Sequence, residues 1–252
     1  MLSVRNWLPG LKHRKRERRQ ARKLHEALAD LDDEARQTIL RVKDCTMLDP
    51  EKLYALITAV RYVSKHQIEG DIVECGVWRG GSVMAAALTL IQLGAVDRRF
   101  FLYDTFTGMP QPSEWDRASA SGVEPAAYFQ ERQTEGDASD WCLANVEDVR
   151  ANLATVAYDQ DQFILAKGKV EDTIPGLLPG PIAILHLDTD WYASTRHEME
   201  HLMPRVVSKG ALIVDDYYYW SGSRDAVDEY LERHQIPVLL TKVGRSAIGV
   251  VP

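Results

Sequence analysis

The sequence predicts an α/β fold in which helices cover both faces of a doubly wound, mostly parallel sheet. Three observations predict it. A strand pattern, a glycine-rich turn and an apolar helix follow one another over residues 71–93, two later β-branched runs end in pairs of aspartates, and segments of helical periodicity separate these runs. With 252 residues and 45% hydrophobic content, the chain is expected to form a single domain over residues 1–252.

The order of the elements follows from the same patterns. Leu24, Leu28 and Leu31 recur at helical spacing, and Pro50 opens a firmer helix, so residues 1–68 are expected to form a helical extension. Strands are predicted at 71–77, 99–104, 162–166, 181–188, 210–216, 238–241 and 247–251, the last two as an antiparallel pair. Helices are predicted at 83–93, 145–156, 194–203 and 224–233. Residues 105–142 are rich in Ser, Pro, Gly, Glu and Asp, which predicts an irregular lid or substrate-binding insertion.

Composition argues against several other classes of protein. The longest apolar runs have the length of strands, so no membrane partner is expected, and the N-terminus lacks the pattern of a secretory signal. A cytoplasmic protein is therefore expected. Cys45, Cys75 and Cys142 lie far apart without zinc-ligand spacing, which predicts reduced, non-coordinating thiols.

Positive charge is concentrated near the N-terminus. Residues 12–23 carry eight Lys or Arg and one Glu, a local charge of +7, so the remainder of this −7 chain carries −14. The run could be an RNA-binding arm, a solvated helical face or a subunit-contact arm. It contains no aromatic residue for base stacking, which favours the last two possibilities, and no nucleic-acid partner is expected.

Four acids at the ends of two predicted strands indicate a cation site. Asp188 and Asp190 follow one apolar run, and Asp215 and Asp216 end another. The carboxyl ends of neighbouring parallel strands meet at one edge of the sheet, where clustered carboxylates repel one another and suit a hard cation such as Mg²⁺. Alternatively, Asp190 could cap the following helix and the other pair could initiate a turn.

The glycine-rich turn departs from the standard dinucleotide pattern. Gly76, Gly80 and Gly81 do not form G-x-G-x-x-G, and no phosphate-loop lysine follows them. Glu74 precedes the turn, and a carboxylate there suits a ligand's ammonium group better than a pyrophosphate. Asp104 ends the second strand, where it could accept hydrogen bonds from a ribose or simply form a turn.

Four segments taken together resemble the macrocin O-methyltransferase family, whose members are metal-dependent enzymes that methylate sugar hydroxyls of macrolide and related antibiotics. The segments are DIVECGVWRGGS, FFLYDTFTGMP, HLDTDWYASTRHE and GALIVDDYYYWSGSRDAVDEY, and the likeness spans about residues 46–231. The resemblance implies a class I S-adenosylmethionine-dependent methyltransferase domain, with a Rossmann-like seven-stranded sheet whose last strand is antiparallel. It also implies a small glycosylated acceptor and a homo-oligomer.

The resemblance assigns expected roles to individual residues. Those around S-adenosylmethionine are Glu74, Gly76, Gly81 and Ser82 at the methionine half, Asp104 at the ribose, Gly168 and Val170 at the adenine, and Thr46 and Met47 in a closing loop. The expected Mg²⁺ ligands are Asp188, Asp215 and Asp216, and the expected general base is Asp190.

Aromatic residues follow both acidic pairs and are weaker candidates for acceptor binding. Trp191 and Tyr192 could stack on a sugar or simply pack between strand and helix. Tyr218 and Tyr219 lie in the aromatic run 217–220, where the family commonly has smaller residues, which implies a narrower or flatter acceptor pocket. His186, inside the strand, is expected to be a hydrogen-bonded core histidine.

Three other functions remain possible from the sequence. A catechol-type aromatic O-methyltransferase would use the same donor and metal, a non-catalytic α/β domain would bind ligand without chemistry, and a nucleic-acid methyltransferase would need the basic arm.

Overall fold

The computed structural model describes residue 22 and residues 24–118 and 124–252. Apart from Arg22, the basic run at 12–23 lies outside the described residues. Across the described residues the sheet contains seven strands: β1 Asp71–Cys75, β2 Phe100–Asp104, β3 Phe163–Lys167, β4 Ile182–Leu187, β5 Val206–Val214, β6 Thr241–Val243 and β7 Ser246–Val250.

The strand order is β3-β2-β1-β4-β5-β7-β6. The first five strands in this order are parallel, and β7 runs antiparallel to both β5 and β6. The order reverses between β1 and β4, which is the point where doubly wound sheets bind their ligands. The predicted α/β fold with an antiparallel end is confirmed.

Helices cover both faces of the sheet. They are α1 Asp33–Val42, α2 Pro50–Lys65, α3 Gly81–Leu93, α4 Pro125–Arg132, α5 Val146–Leu153, α6 Val170–Thr173, α7 Tyr192–Leu202 and α8 Ser221–Arg233. One apolar layer joins α1, α2, α3 and α5 to one face of the sheet, and a second joins α7 and α8 to the other. In α2 the predicted stripe from Leu53 to Val63 is buried, with Pro50 in its first turn.

Several predicted elements differ from the structure. The strand predicted at 210–216 is Val206–Val214, and the helix predicted at 224–233 is Ser221–Arg233. The strand predicted at 238–241 is instead Thr241–Val243, because the two-residue turn at Gly244 and Arg245 pairs Val243 with Ser246 and so sets the register of the hairpin. The insertion at 105–142 is not wholly irregular, since α4 lies within it. Helix α4 begins at Pro125, a residue suited to the first turn of a helix.

In the described part of the chain, no helix combines the length and the apolar character needed to cross a membrane.

Candidate active site

A cavity of about 690 Å³ opens at the carboxyl edge of the sheet. Residues that follow β1, β2, β4 and β5 line it, together with the start of α2 and part of the insertion. Most of the residues expected from the sequence line this one cavity: Thr46, Met47, Gly76, Gly81, Ser82, Asp104, Gly168, Val170, Asp188, Asp190, Asp215, Asp216 and Tyr219. Glu74, Trp191, Tyr192 and Tyr218 do not line it.

The glycine-rich turn depends on close backbone approaches. Gly76 has φ +85°, and a Cβ atom at this position would lie 2.1 Å from the backbone oxygen of Asp188. Gly81 donates its N–H to the carbonyl oxygen of Cys45 at 2.9 Å, and a Cβ there would lie 2.5 Å from that oxygen. This contact brings the loop that carries Thr46 and Met47 against the turn.

Asp104 organises the same turn. Its Oδ2 accepts hydrogen bonds from the backbone N–H groups of Val77 at 2.7 Å and Trp78 at 3.0 Å, and its Oδ1 accepts one from Phe106 at 2.7 Å. Burial raises the pKa of Asp104, and these three hydrogen bonds oppose that rise. The Asp104 carboxylate, which was expected to hold a ribose, therefore stabilises the turn after β1.

Gly168 and Val170, expected near the adenine, follow β3. The N–H of Gly168 donates to the carbonyl oxygen of Asp104 at 3.0 Å, which ties the loop after β3 to the end of β2. Val170 begins α6 and is 4% exposed. Both residues line the same cavity as Asp104.

Glu74 does not line the cavity, although the resemblance implied that it would contact the methionine half of S-adenosylmethionine. Its Oε1 accepts a hydrogen bond from Ser82 Oγ at 2.5 Å and lies 3.1 Å from Nδ1 of His186. Burial lowers the pKa of His186, but Glu74 outweighs burial and the pKa is raised. His186 is a core histidine as expected, yet its buried Nε2 has no hydrogen-bond partner among the described residues, so the prediction of a fully bonded ring is wrong.

The register of the sheet brings the acidic strand ends together. Leu187 pairs with Val214, so Asp188 and Asp215, the next residue on each strand, emerge side by side. Asp190 and Asp216 follow with φ of +69° and +51°, a left-handed conformation that aspartate tolerates better than most residues.

Burial and neighbouring charges raise the pKa of three of these acids. Burial, followed by the charges of neighbouring aspartates, raises the pKa of Asp188 and of Asp190 well above the ordinary value. Burial and then Asp215 likewise raise the pKa of Asp216. The Oδ1 atom of Asp190 is shielded from solvent and has no hydrogen-bond partner within the described ranges. Unpaired carboxylates at close range favour a bound cation or a proton.

A lysine from the N-terminal helices already supplies one positive charge. Lys52 Nζ lies 2.8 Å from Oδ2 of Asp215 and 3.0 Å from Oδ1 of Asp216, and its side chain is 9% exposed. Ser246 donates its hydroxyl to the other oxygen of Asp215. Burial alone would lower the pKa of Lys52, but the two aspartates outweigh burial and raise it.

The donor chemistry fits a hard divalent cation. Asp188, Asp190, Asp215 and Asp216 offer only oxygen ligands on one wall of the cavity, where Lys52 offsets one of their charges. Among the described residues, one triplet has ligand atoms within 4.8 Å of one another, namely Glu74, His186 and Asp188. In that triplet Glu74 and His186 already pair with each other. The charge of the expected set, Asp188, Asp215 and Asp216, suits a divalent cation, but its ligand atoms are farther apart than those of the triplet.

Asp190 does not cap the following helix. The residue before α7 is Trp191, and the first N–H of the helix, that of Tyr192, donates to Oδ1 of Asp116 at 2.7 Å. Asp116 belongs to the insertion and is 3% exposed. The cap therefore attaches the insertion to α7, and the Asp190 carboxylate is left for the cavity.

The aromatic residues divide into packing and lining groups. Trp191 is 2% exposed, packs edge-on against both Trp141 and Trp220, and donates Nε1–H to the carbonyl oxygen of Pro110 at 2.9 Å. Tyr192 stacks on Trp115 outside the cavity.

The expected stacking of Trp191 and Tyr192 on the acceptor therefore differs from the structure, because both hold the insertion instead. Lys242 Nζ lies 4.7 Å from the ring centre of Tyr218, away from the cavity lining. Tyr219 does line the cavity, and the Arg245 guanidinium lies over its ring at 4.1 Å.

Comparison with known proteins identifies the family. Residues 11–249 match the macrocin-O-methyltransferase (TylF) family. The chain belongs to this family. It is 33% identical over 204 residues to the 8-demethyl-8-(2,3-dimethoxy-alpha-L-rhamnosyl)-tetracenomycin-C 4'-O-methyltransferase of Streptomyces olivaceus, covering 81% of this chain and 74% of that protein. It is 30% identical over 204 residues to the demethyldecarbamoylnovobiocin O-methyltransferase of Streptomyces niveus, with the same shares covered.

A solved structure agrees with the sequence relatives. The O-methyltransferase NovP superposes with a TM-score of 0.71 at 28% identity, over 82% of this chain and 81% of that one. This member of the macrocin O-methyltransferase family is therefore a class I S-adenosylmethionine-dependent O-methyltransferase. The family predicted from the four sequence motifs is confirmed.

Several residues of the cavity were not expected from the sequence: Lys52, Tyr128, Trp141, Ser194 and Arg245. Only Lys52 carried a usable signal. It precedes Leu53 and lies four residues before Leu56, which places a charge on the apolar side of α2. A lysine in that position must reach a buried partner or extend past the helix to solvent.

Proposed function

We propose that this enzyme transfers the methyl group of S-adenosylmethionine to a sugar hydroxyl of a glycosylated natural product, with the help of Mg²⁺. One observation carries the proposal: the donor-side residues around Gly76 and the four aspartates line the same cavity, so a bound donor and an acidic centre would be neighbours. The relatives' activities support the acceptor class, because two of them are named for antibiotics and one name specifies a rhamnosyl sugar.

The donor would occupy the end of the cavity built from the glycine turn. In this proposal Gly76, Gly81 and Ser82 contact its methionine half, Asp104 its ribose, and Gly168 with Val170 its adenine. Glu74 acts through Ser82, whose hydroxyl it binds at 2.5 Å, rather than by touching the donor. Thr46 and Met47 close over the donor, and Met47 is 60% exposed before closure.

Asp190 is the proposed general base. A sugar hydroxyl attacks poorly near neutral pH, so its proton must leave as the oxygen bonds to the methyl carbon and the sulfonium becomes a thioether. The oxygen of Asp190 for which the described residues offer no hydrogen-bond partner would accept that proton. Burial raises the pKa of Asp190, which makes its carboxylate a stronger base than a solvated aspartate.

Asp188, Asp215 and Asp216 would hold the metal ion. When bound, Mg²⁺ would lower the pKa of the acceptor hydroxyl and orient it. The protein's own contribution is to keep these carboxylates on adjacent strand ends and to exclude water from Asp190.

The insertion at residues 105–142 is the proposed acceptor lid of the single domain. Asp116 and Pro110 anchor it to α7 and to Trp191, while Tyr128 and Trp141 present its inner side to the cavity. As part of the same proposal, the enzyme is cytoplasmic and forms a homo-oligomer. Light scattering on the purified protein measures the oligomeric state.

A panel assay tests the substrate class. Purified enzyme is incubated with methyl-labelled S-adenosylmethionine, Mg²⁺ and either glycosylated macrolides, other glycosylated aromatic polyketides, or catechols. We expect label in the sugar of at least one glycosylated acceptor. Transfer to no glycosylated compound would refute the proposal.

A catechol-type activity is the second candidate, favoured by the aromatic wall. Tyr128, Trp141, Tyr219 and Trp220 line the acceptor side and could hold a flat ring by stacking. Faster transfer to catechols than to every sugar-bearing compound in the same panel would select this activity.

A further inference from the structure

Lys52 occupies the acidic pair that the proposed metal ion would use. Its ammonium group lies 2.8 Å from Asp215 and 3.0 Å from Asp216, so one cation bridges two neighbouring carboxylates. With 9% of its side chain exposed, Lys52 has little access to water in place of these partners. The contact joins the third residue of α2 to the end of β5, more than 160 positions later in the chain.

Both oxygens of Asp215 are already engaged. Oδ2 accepts from Lys52, and Oδ1 accepts from the hydroxyl of Ser246. A divalent ion coordinated by the oxygens that Lys52 holds would lie within about 4 Å of its ammonium group, where like charges in a poorly hydrated cavity repel strongly. The metal ion and the ammonium group therefore exclude each other from these oxygens.

We propose that Lys52 is an internal cation that competes with the divalent metal ion for Asp215 and Asp216, and that metal binding displaces its ammonium group. This inference rests on the metal in the proposed function. Without metal, Lys52 neutralises the pair and keeps the two strand-end carboxylates together. With metal, Lys52 gives up those oxygens, so its presence lowers the affinity of the centre.

The surroundings of Lys52 allow such an exchange. Its stem lies beside Gly244, where even an added Cβ would be 3.8 Å from the nearest stem carbon, so position 244 leaves room for the stem to move. Four flexible methylene groups let the ammonium group swing without moving α2. Asp188 and Asp190 line the same cavity and would share the incoming ion's charge.

Manganese affinity tests the competition. Free Mn²⁺ is measured by electron paramagnetic resonance in titrations of the full-length wild type, Lys52→Met and Lys52→Arg. We expect Lys52→Met to bind Mn²⁺ at least about tenfold more tightly than wild type, and Lys52→Arg to bind no more tightly than wild type. Lys65→Met is the matched control, because Lys65 ends the same helix, is exposed, and should change the affinity less than about twofold.

A measurement on the unmodified protein covers the case in which Lys52→Met does not fold. Lysines are acetylated briefly with and without saturating Mg²⁺, and each site is quantified by mass spectrometry. We expect acetylation of Lys52 to rise at least about threefold with Mg²⁺, since the displaced amine loses its carboxylate partners, while acetylation of Lys65 stays constant.

Defined results overturn the inference. Equal or weaker Mn²⁺ binding by folded Lys52→Met, no Mn²⁺ binding by any variant, or Lys52 acetylation that ignores Mg²⁺ would each do so. Methyl transfer is assayed in parallel: if transfer to a sugar persists while the Lys52 effects are missing, only this inference fails. If the Lys52 effects appear but no sugar is methylated, only the proposed function fails.

Discussion

Gly76 is packed so closely against Asp188 that a Cβ atom at position 76 would lie 2.1 Å from the Asp188 carbonyl oxygen. Gly76 also has φ +85°, a conformation in which L residues are strained. The end of β1 and the first acid after β4 can thus approach this closely only because residue 76 has no Cβ atom. The donor side and the acidic side of the cavity meet at this contact.

Gly76→Ala should therefore damage both stability and donor binding. Strain alone costs about 1 kcal/mol, and the contact with Asp188 should bring the total loss of unfolding free energy to about 3 kcal/mol or more. Denaturant unfolding measures the stability, and calorimetry with S-adenosylhomocysteine measures donor-site affinity.

Gly94→Ala is the matched control for Gly76→Ala. Gly94 has φ +68°, but a Cβ atom added there would have no neighbour within 4 Å, so this variant reports strain without a clash. Equal losses of stability in the two variants would show that the contact with Asp188 is unimportant.

Glu198 should make stability depend on pH. Burial raises its pKa from 4.5 to about 8, although the hydroxyl of Thr189, 3.0 Å away, opposes the rise. Between these two values the folded state keeps a proton that the unfolded state loses, so stability falls as pH rises from about 4.5 to about 8. A difference of this size corresponds to at most about 5 kcal/mol.

Glu198→Gln should abolish that fall, because the amide stays neutral at every pH. Unfolding free energy is measured at intervals from pH 4.5 to pH 9 for both proteins. Glu200→Gln on the same helix is the control, since Glu200 is partly exposed and paired with Arg196, and its removal should shift stability by under about 1 kcal/mol at any pH. A wild-type slope that persists in Glu198→Gln would refute the assignment.

The sequence could predict the strand ends because the determining signals are local. An apolar run shows where β4 and β5 stop, and neighbouring parallel strands then place Asp188 beside Asp215. The glycines that allow close approach were visible for the same reason. The four motifs added the family and, with it, the expected donor-side positions.

The remaining features depend on contacts between distant segments. Lys52 reaches Asp215 across 163 positions, and Asp116 caps a helix 76 positions away. Neither pairing has a periodic signature, because each follows from how α2 and the insertion pack on a finished sheet. The roles expected of Trp191 and Tyr192 changed for the same reason, since the packing of the insertion decides which aromatic faces reach the cavity.

Trp191→Phe should loosen the insertion. The substitution keeps an aromatic ring packed against Trp141 and Trp220 but removes the Nε1–H that donates to Pro110. A partly buried carbonyl left without its donor costs up to about 1–3 kcal/mol, which should lower Tm by a few degrees and raise the KM for the acceptor. Trp115→Phe is the control, because Trp115 is 55% exposed. If both variants behave alike, Trp191 does not anchor the insertion.

Removal of divalent metal should reduce methyl transfer. If Asp188, Asp215 and Asp216 hold Mg²⁺, excess chelator should lower the rate at least about tenfold and added Mg²⁺ should restore it. In Asp188→Asn, added Mg²⁺ should restore little, because one ligand is gone. Full activity of the wild type in chelator would remove the metal from the mechanism.

Asp190→Asn should separate chemistry from binding. The amide has nearly the shape of the carboxylate but cannot accept the acceptor's proton, so kcat should fall by about 10²–10⁴-fold. Affinity for S-adenosylhomocysteine should change less than about twofold, since Asp190 serves the acceptor rather than the donor. Asp172→Asn, an exposed acid on α6, controls for loss of one negative charge. A kcat within tenfold of wild type would mean that the proton leaves by another route, and that Asp190 contributes only negative charge to the cavity lining.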